Sequence, residues 1–247
     1  LFIRENSAER GIYAYALAFA NSGYIGDPVI QALFGDEVLS YYKLYCLPIS
    51  ILIYTWGISV LVPSGEKHEN PLKKILNAPT VALLAGIIVG ISGLGSYIHD
   101  PTLSSTYGLG FITKALDALK SCMGPVAMLL AGFTISNYSF VGMLKKKKVY
   151  LATALRLFVI PAIIVTFIFS LKEAANAAFG LSIDNTVLFL SYFAVGAPLG
   201  LNTVVFPEAY GGNPETGASM AMISHTLCVL SIPLMYSLMT TLFGSPI

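Results

Sequence analysis

Apolar residues run through this chain in blocks long enough to cross a hydrocarbon core, which takes about 20 residues of helix. Seven such blocks can be drawn: 11 to 34, 38 to 62, 77 to 94, 111 to 135, 149 to 171, 185 to 209 and 218 to 243. Polar residues collect between them, most of all in Pro63 to Leu76 and in Gly95 to Gly110. The pattern predicts an all-α polytopic membrane protein with about seven transmembrane helices.

Two blocks carry residues that lipid-facing helices avoid. Phe19 to Glu37 holds Gly23, Gly26 and Pro28, and Phe193 to Glu215 holds Gly196, Pro198, Gly200 and Pro207. Proline removes a backbone donor and clashes with the preceding turn, and glycine loosens the same stretch, so both helices are expected to unwind near their middles. An unwound segment leaves backbone groups free, which hydrocarbon tolerates only where protein packs on them or they line a wet cavity. The two segments are alike in detail. Each starts Phe-Ala, carries an asparagine near the break (Asn21 and Asn202) and ends in a glycine-rich polar turn. Alternating the seven blocks across the membrane makes them run in opposite directions, as inverted counterparts. Paired interrupted helices of this kind point to a secondary transporter whose substrate sits near the midplane.

Composition agrees with a membrane protein and adds an orientation. The 247 residues are 55% hydrophobic and only 11% charged, against roughly 25% charged in a soluble domain. The net charge of +1 excludes a basic face for nucleic acid. Nine of the 14 basic residues, Arg4, Arg10, Lys67, Lys73, Lys74 and Lys145 to Lys148, fall on one side of the alternating blocks, and the opposite loops hold only Lys172. The positive-inside rule puts the first set in the cytoplasm. The Lys145 to Lys148 run then reads as a tether beside anionic lipid. Cys46, Cys122 and Cys228 all lie in apolar stretches and suggest neither a disulfide framework nor a metal cluster. No cofactor is expected.

The run Asn21-Ser22-Gly23-Tyr24-Ile25-Gly26-Asp27-Pro28, followed by Ala32-Leu33-Phe34-Gly35, resembles the fourth-helix signature of the auxin efflux carrier family and its bacterial relatives. Ala197 to Gly212, with Asn202-Thr203 and Tyr210-Gly211-Gly212, is similar to that family's ninth helix, and Asn77-Ala78-Pro79 to the start of its sixth. The resemblance implies two inverted five-helix repeats whose broken fourth and ninth helices cross at the substrate site. The chain begins with Leu1, and on this plan it would supply helices four to ten without the first three. Residues 1 to 62 would end the first repeat, 63 to 76 would be a cytoplasmic linker, and 77 to 247 the second repeat. Within that repeat, 77 to 135 would be scaffold and 149 to 243 would belong to a moving transport domain. The implied protein is a plasma-membrane permease for a small organic anion such as a carboxylate. It would work by alternating access, with H⁺ or Na⁺ as a coupling ion and a homodimer through the scaffold helices.

By motif match, Asn21 and Asn202 are the leading substrate contacts, since neutral amides suit a carboxylate that must bind and leave. Ser22, Gly23, Tyr24, Thr203 and the backbone near Pro28 and Pro198 complete the expected pocket. Each asparagine could instead serve only the freed backbone of its own helix. Asp27 is an intramembrane carboxylate, either a coupling site or a structural partner of Arg156 or Lys43. Glu208 and His225 are further coupling candidates. Arg156 lies too deep in its block to snorkel easily and is expected to pair with a carboxylate or an unwound carbonyl. Lys114, Asp117 and Lys120 recur every three residues and form one polar helix face.

Two other classes of function compete. Gly90-Ile91-Ser92-Gly93 matches the short GxSG of intramembrane serine proteases, with His225 as the base. Seven spans also invite a sensor or receptor built on a transporter fold.

Overall fold

A computed structural model of the chain describes residues 7–61, 78–100, 102, 110–210 and 214–246. The linker from Pro63 to Leu76, Asn77, Arg4 and the Gly211-Gly212 turn lie outside the described residues. Every regular element among those described is helical.

The first broken segment is α1 (Ser7–Ala18), a non-helical stretch, and a π-helical turn Ser22–Gly26 that leads into α2 (Asp27–Leu52). A second π-turn, Ile53–Gly57, joins α2 to α3 (Ile58–Leu61). Ser22–Leu61 is thus one helical run of 40 residues. At about 1.5 Å per residue it would be twice as long as a hydrocarbon core is thick. Gly35 resolves the mismatch: its φ of 81° and ψ of −178° bend the run into two legs, a conformation open to glycine and strained for a residue with a Cβ. The sequence places its polar turn at the same residue.

Beyond the linker come α4 (Ala78–Ile91), α5 (Leu94–His99), α6 (Gly110–Ser136) and α7 (Phe140–Leu144). The rest comprises α8 (Lys147–Ala154), a third π-turn at Leu155–Val159, α9 (Ile160–Phe179), α10 (Thr186–Gly196), α11 (Asn202–Tyr210) and α12 (Pro214–Phe243). Besides Ser22–Leu61, the stretches Lys147–Phe179 and Pro214–Phe243 are long and apolar enough to cross a membrane, while Thr80–Ile91 and Thr186–Gly196 are shorter apolar helices. The π-turn at Leu155–Val159 stands just before Pro161, whose missing N–H would otherwise orphan a carbonyl one turn back.

The first break does not fall where its glycines suggest. It spans Phe19 to Asn21, whereas Gly23 and Gly26 lie in the π-turn and Pro28 in the first turn of α2. Proline is accommodated there because it follows a π-turn in the continuous run, as Pro161 does further along the chain. The second break, Ala197 to Leu201, does fall on Pro198 and Gly200.

Two polar clusters mark opposite ends of the bundle. Lys146 pairs with Glu215 at 2.9 Å and donates to Thr216 Oγ1 at 3.3 Å, and Thr216 donates to Glu9 at 3.2 Å. These contacts gather the starts of α1, α8 and α12. At the other end of α12, Asn185 donates to the Phe243 carbonyl and accepts from Lys172 Nζ, each at 2.5 Å. Lys146 and Lys172 therefore sit at opposite ends, the sorting that the charge pattern predicts. Outside the bundle the helices are thinly packed. Among the described side chains of residues 78–136 only Thr80 is buried, and Ile88, Leu119 and Phe133 are among many large apolar groups left for lipid.

Candidate functional site

The two breaks cross and bond to each other. Ala20 and Leu199 form an isolated antiparallel β-bridge, and Asn21 N–H donates to the Pro198 carbonyl at 2.8 Å. Each unwound strand thus satisfies part of what the other leaves open, which is how irregular backbone survives at membrane depth. The side chains of Phe19, Leu199 and Phe206 close one side of the crossing in a cluster with Ile12, Tyr15 and Met220.

Further groups reach the crossing from distant helices. Arg156, 1% exposed, donates through Nη1 to the carbonyls of Leu17 at 2.8 Å and Ala18 at 3.5 Å. Those are terminal carbonyls of α1, so a cation stands at the negative end of the helix. Ser224 Oγ accepts from Leu199 N–H at 3.2 Å. Asn202 donates to the Tyr15 hydroxyl at 2.9 Å. The Asn21 amide makes two contacts: its oxygen accepts from Tyr24 N–H at 3.4 Å, and its nitrogen lies 2.9 Å from His225 Nε2.

Beside the crossing lies a cavity of about 120 Å³. Its wall holds Asn21, Ser22, Gly23 and Tyr24 from the first segment and Gly200, Leu201 and Asn202 from the second. Both sets lie where a break gives way to the start of a helix, whose first N–H groups lack intrahelical acceptors and carry the positive end of the helix dipole. Asp27, Lys43, Ser50 and Tyr54 complete the rim. Asp27 and Lys43 form an ion pair. The cavity therefore presents amides, hydroxyls, two helix N-termini and a neutralised pair of charges. An anion of a few heavy atoms fits that lining.

The profile of the family described as membrane transport protein matches residues 68–236. The chain belongs to that family, the auxin efflux carrier family. No curated protein and no solved structure matches the chain. The matched stretch of this membrane transport protein contains the second broken segment, Arg156 and His225, and the first broken segment precedes it. Members of the family are integral to the membrane and are transporters, not enzymes.

The structure distributes the remaining candidates unevenly. Asn21, Ser22, Gly23, Tyr24, Asp27 and Asn202 line the cavity of the transporter. Thr203 does not; it is buried and donates back to the Gly200 carbonyl at 2.9 Å. Pro28 and Pro198 act through the backbone, one opening α2 and the other offering its carbonyl to Asn21. Glu208 is exposed and away from the cavity. Arg156 takes carbonyls and has no carboxylate partner among the described residues. Of its two suggested partners, Asp27 takes Lys43. The polar face of α6 is exposed, and the field of Lys120 reaches Asp27.

The protease reading fails on geometry. Ser92 is exposed in the turn between α4 and α5 and donates to the Val89 carbonyl at 3.0 Å, while His225 is engaged by Asn21 and Ala221. Among the described residues no three His, Cys, Asp or Glu side chains gather as metal ligands. Tyr15, Ser50, Tyr54 and Ser224 were not singled out from the sequence. Ser224 had a usable signal, a small polar residue beside His225 in an apolar helix; the hydroxyls of Tyr15 and Tyr54 sit in patterns that read as ordinary packing.

Proposed function

We propose that this transporter is a secondary carrier that moves a small organic anion, of carboxylate type, across the plasma membrane by alternating access. The observation that carries the reading is the crossing itself: two interrupted helices, bonded through Asn21 and Pro198, aim two helix N-termini into one cavity. A carboxylate there exchanges water for backbone and amide N–H groups, which offsets its desolvation without binding so strongly that release is blocked. Asn21 and Asn202 hold the anion, and Ser22, Gly23 and Tyr24 shape the pocket.

In this reading, alternating access moves the packed bundle of α1–α3 and α8–α12 against the loosely packed α4–α6, which serve as scaffold and as the surface for a homodimer. Large motions follow naturally where few side chains interlock. H⁺ or Na⁺ drives the cycle.

The test is uptake of labelled acetate, lactate, succinate and malate into proteoliposomes holding the full-length protein, under imposed H⁺ or Na⁺ gradients. Uptake of at least one is expected, lost in Asn21→Ala and in Asn202→Ala while the variants stay folded. Uptake unaltered in both variants would sink the site assignment.

A further inference from the structure

The hydrogen bonds of His225 fix its proton. Nδ1 lies 2.7 Å from the Ala221 carbonyl, which can only accept, so Nδ1 carries a hydrogen. Nε2 lies 2.9 Å from Asn21 Nδ2, which can only donate, so Nε2 offers its lone pair and the ring is neutral. The same amide has its oxygen turned to Tyr24 N–H. Neutral His225 therefore holds Asn21 with its donor facing away from the cavity and its acceptor covering a first-turn N–H of the helix that lines it.

Protonating Nε2 reverses this arrangement. Two donors would then face each other, and the amide relieves the conflict by turning over, giving its oxygen to the imidazolium. The bond lost is the one from Tyr24 N–H, long at 3.4 Å and correspondingly weak. The turned amide presents Nδ2, and Tyr24 N–H is released, on a wall of the cavity that Asn21 and Tyr24 already line. The anion site gains two donors and a nearby positive charge in one step.

We infer that His225 is a positioning residue that takes up the coupling proton and, through Asn21, switches the cavity from weak to strong anion binding. The inference rests on the carrier reading above and names its coupling ion. Binding of proton and anion are reciprocal, so each favours the other, and one proton accompanies each anion held there. The proton comes from the aqueous phase to which the cavity is open and returns to the phase on the other side; no bond besides N–H forms or breaks.

The surroundings leave the ring as the responsive group. Among the described side chains, the elements packed against α12 carry as ionisable groups Glu9, Arg10, Tyr13 and Tyr15 on α1, Lys114, Asp117, Lys120 and Cys122 on α6, Lys147, Lys148 and Tyr150 on α8, Arg156 in the π-turn after it, Tyr192 on α10 and Glu208 on α11, and α7 carries none. None of them bonds to the imidazole, whose partners among the described residues are Asn21 and the Ala221 carbonyl. Cys228 donates to the backbone carbonyl of His225 and leaves the ring untouched.

Two measurements on the full-length protein test this. In nanodiscs, ¹⁵N spectra of histidine-labelled protein, with His225 assigned by its loss in His225→Gln, should show an Nδ1–H tautomer at neutral pH. On acidification Nε2 should become protonated while the Asn21 side-chain amide shifts in step. In proteoliposomes, the carboxylate transported best should bind about tenfold more weakly for each pH unit of alkalinisation above the ring's titration, as one linked proton requires. In His225→Gln, which keeps an acceptor for Asn21 and cannot be charged, that slope should vanish. A ring that stays neutral in acid, or a His225→Gln protein that keeps the wild-type pH slope, overturns the inference while leaving carboxylate transport standing. Wild-type protein that takes up none of the four carboxylates overturns the carrier reading, and the inference with it.

Discussion

The two broken segments do the same topological job with different chemistry. The first break, Phe19 to Asn21, is buried, but its exit is polar: Asn21, Ser22 and Asp27 stand there, and Asn21 is bonded on three sides, to Pro198, Tyr24 and His225. The second is apolar and buried, with Ala197, Leu199 and Leu201 all in the interior and its backbone served by Ser224 and by the first segment. Even the two asparagines differ. Asn21 answers to a titratable ring, whereas Asn202 donates to the hydroxyl of Tyr15, fixed between Phe19 and Phe206. Two crossing breaks can thus divide their labour. One supplies adjustable contacts and the other a rigid frame.

That comparison can be broken at several points. The largest loss of stability is expected at Arg156, the cation that closes the first break. Arg156→Met leaves the carbonyls of Leu17 and Ala18 at the end of α1 without this donor, and should cost roughly 3 kcal/mol. Thermal unfolding in detergent measures it, and an unchanged midpoint would show that the half-helix end is served otherwise. On the second segment, Gly217→Ala should cost about 2 kcal/mol by overpacking, because a Cβ there would run into the backbone carbonyl of Thr203. Ser224→Ala removes the acceptor for Leu199 N–H and should cost about 1–2 kcal/mol in the same assay. The contrast between asparagines sharpens through Tyr15→Phe. It frees Asn202 while leaving Asn21 untouched, so transport should fall far less than in Asn21→Ala; equal losses would erase the proposed division.

The smallest effect lies outside both breaks, at the start of α10. Asp184 faces the hydroxyl and the N–H of Thr186, the latter at 2.6 Å, and its carboxyl is held below the usual range. A lowered folded value means the carboxylate's stabilisation is complete at neutral pH and is lost as pH falls through that value. Asp184→Ala should cost roughly 0.5 kcal/mol at neutral pH and nothing in acid.

Much of this was legible in the sequence, and the failures have physical reasons. Glycine and proline mark where a helix yields, so both interrupted segments and the turn at Gly35 stand out. Pro28 does not mark the first break, because the π-turn before it carries the helix past the proline without interruption. Asn21 and Asn202 could be chosen from local pattern, but their partners could not. His225 is 204 residues from Asn21 and Asn202 is 187 from Tyr15, and no periodicity reports such pairs. Arg156 could be recognised as buried from its depth in an apolar block. That it would serve carbonyls of α1 follows only from the packing of the π-turn against that helix.

The central claim is that the crossing of the two breaks is the anion site. It is tested most directly by a single cysteine at Ser22, in full-length protein lacking Cys46, Cys122 and Cys228, reacted with a negatively charged thiol reagent. Ser22→Cys should react from the aqueous side and be protected by the carboxylate the protein transports, with half-protection at the concentration that half-saturates uptake. Labelling that proceeds at the same rate under saturating carboxylate, while uptake persists, would place the substrate elsewhere and contradict the account.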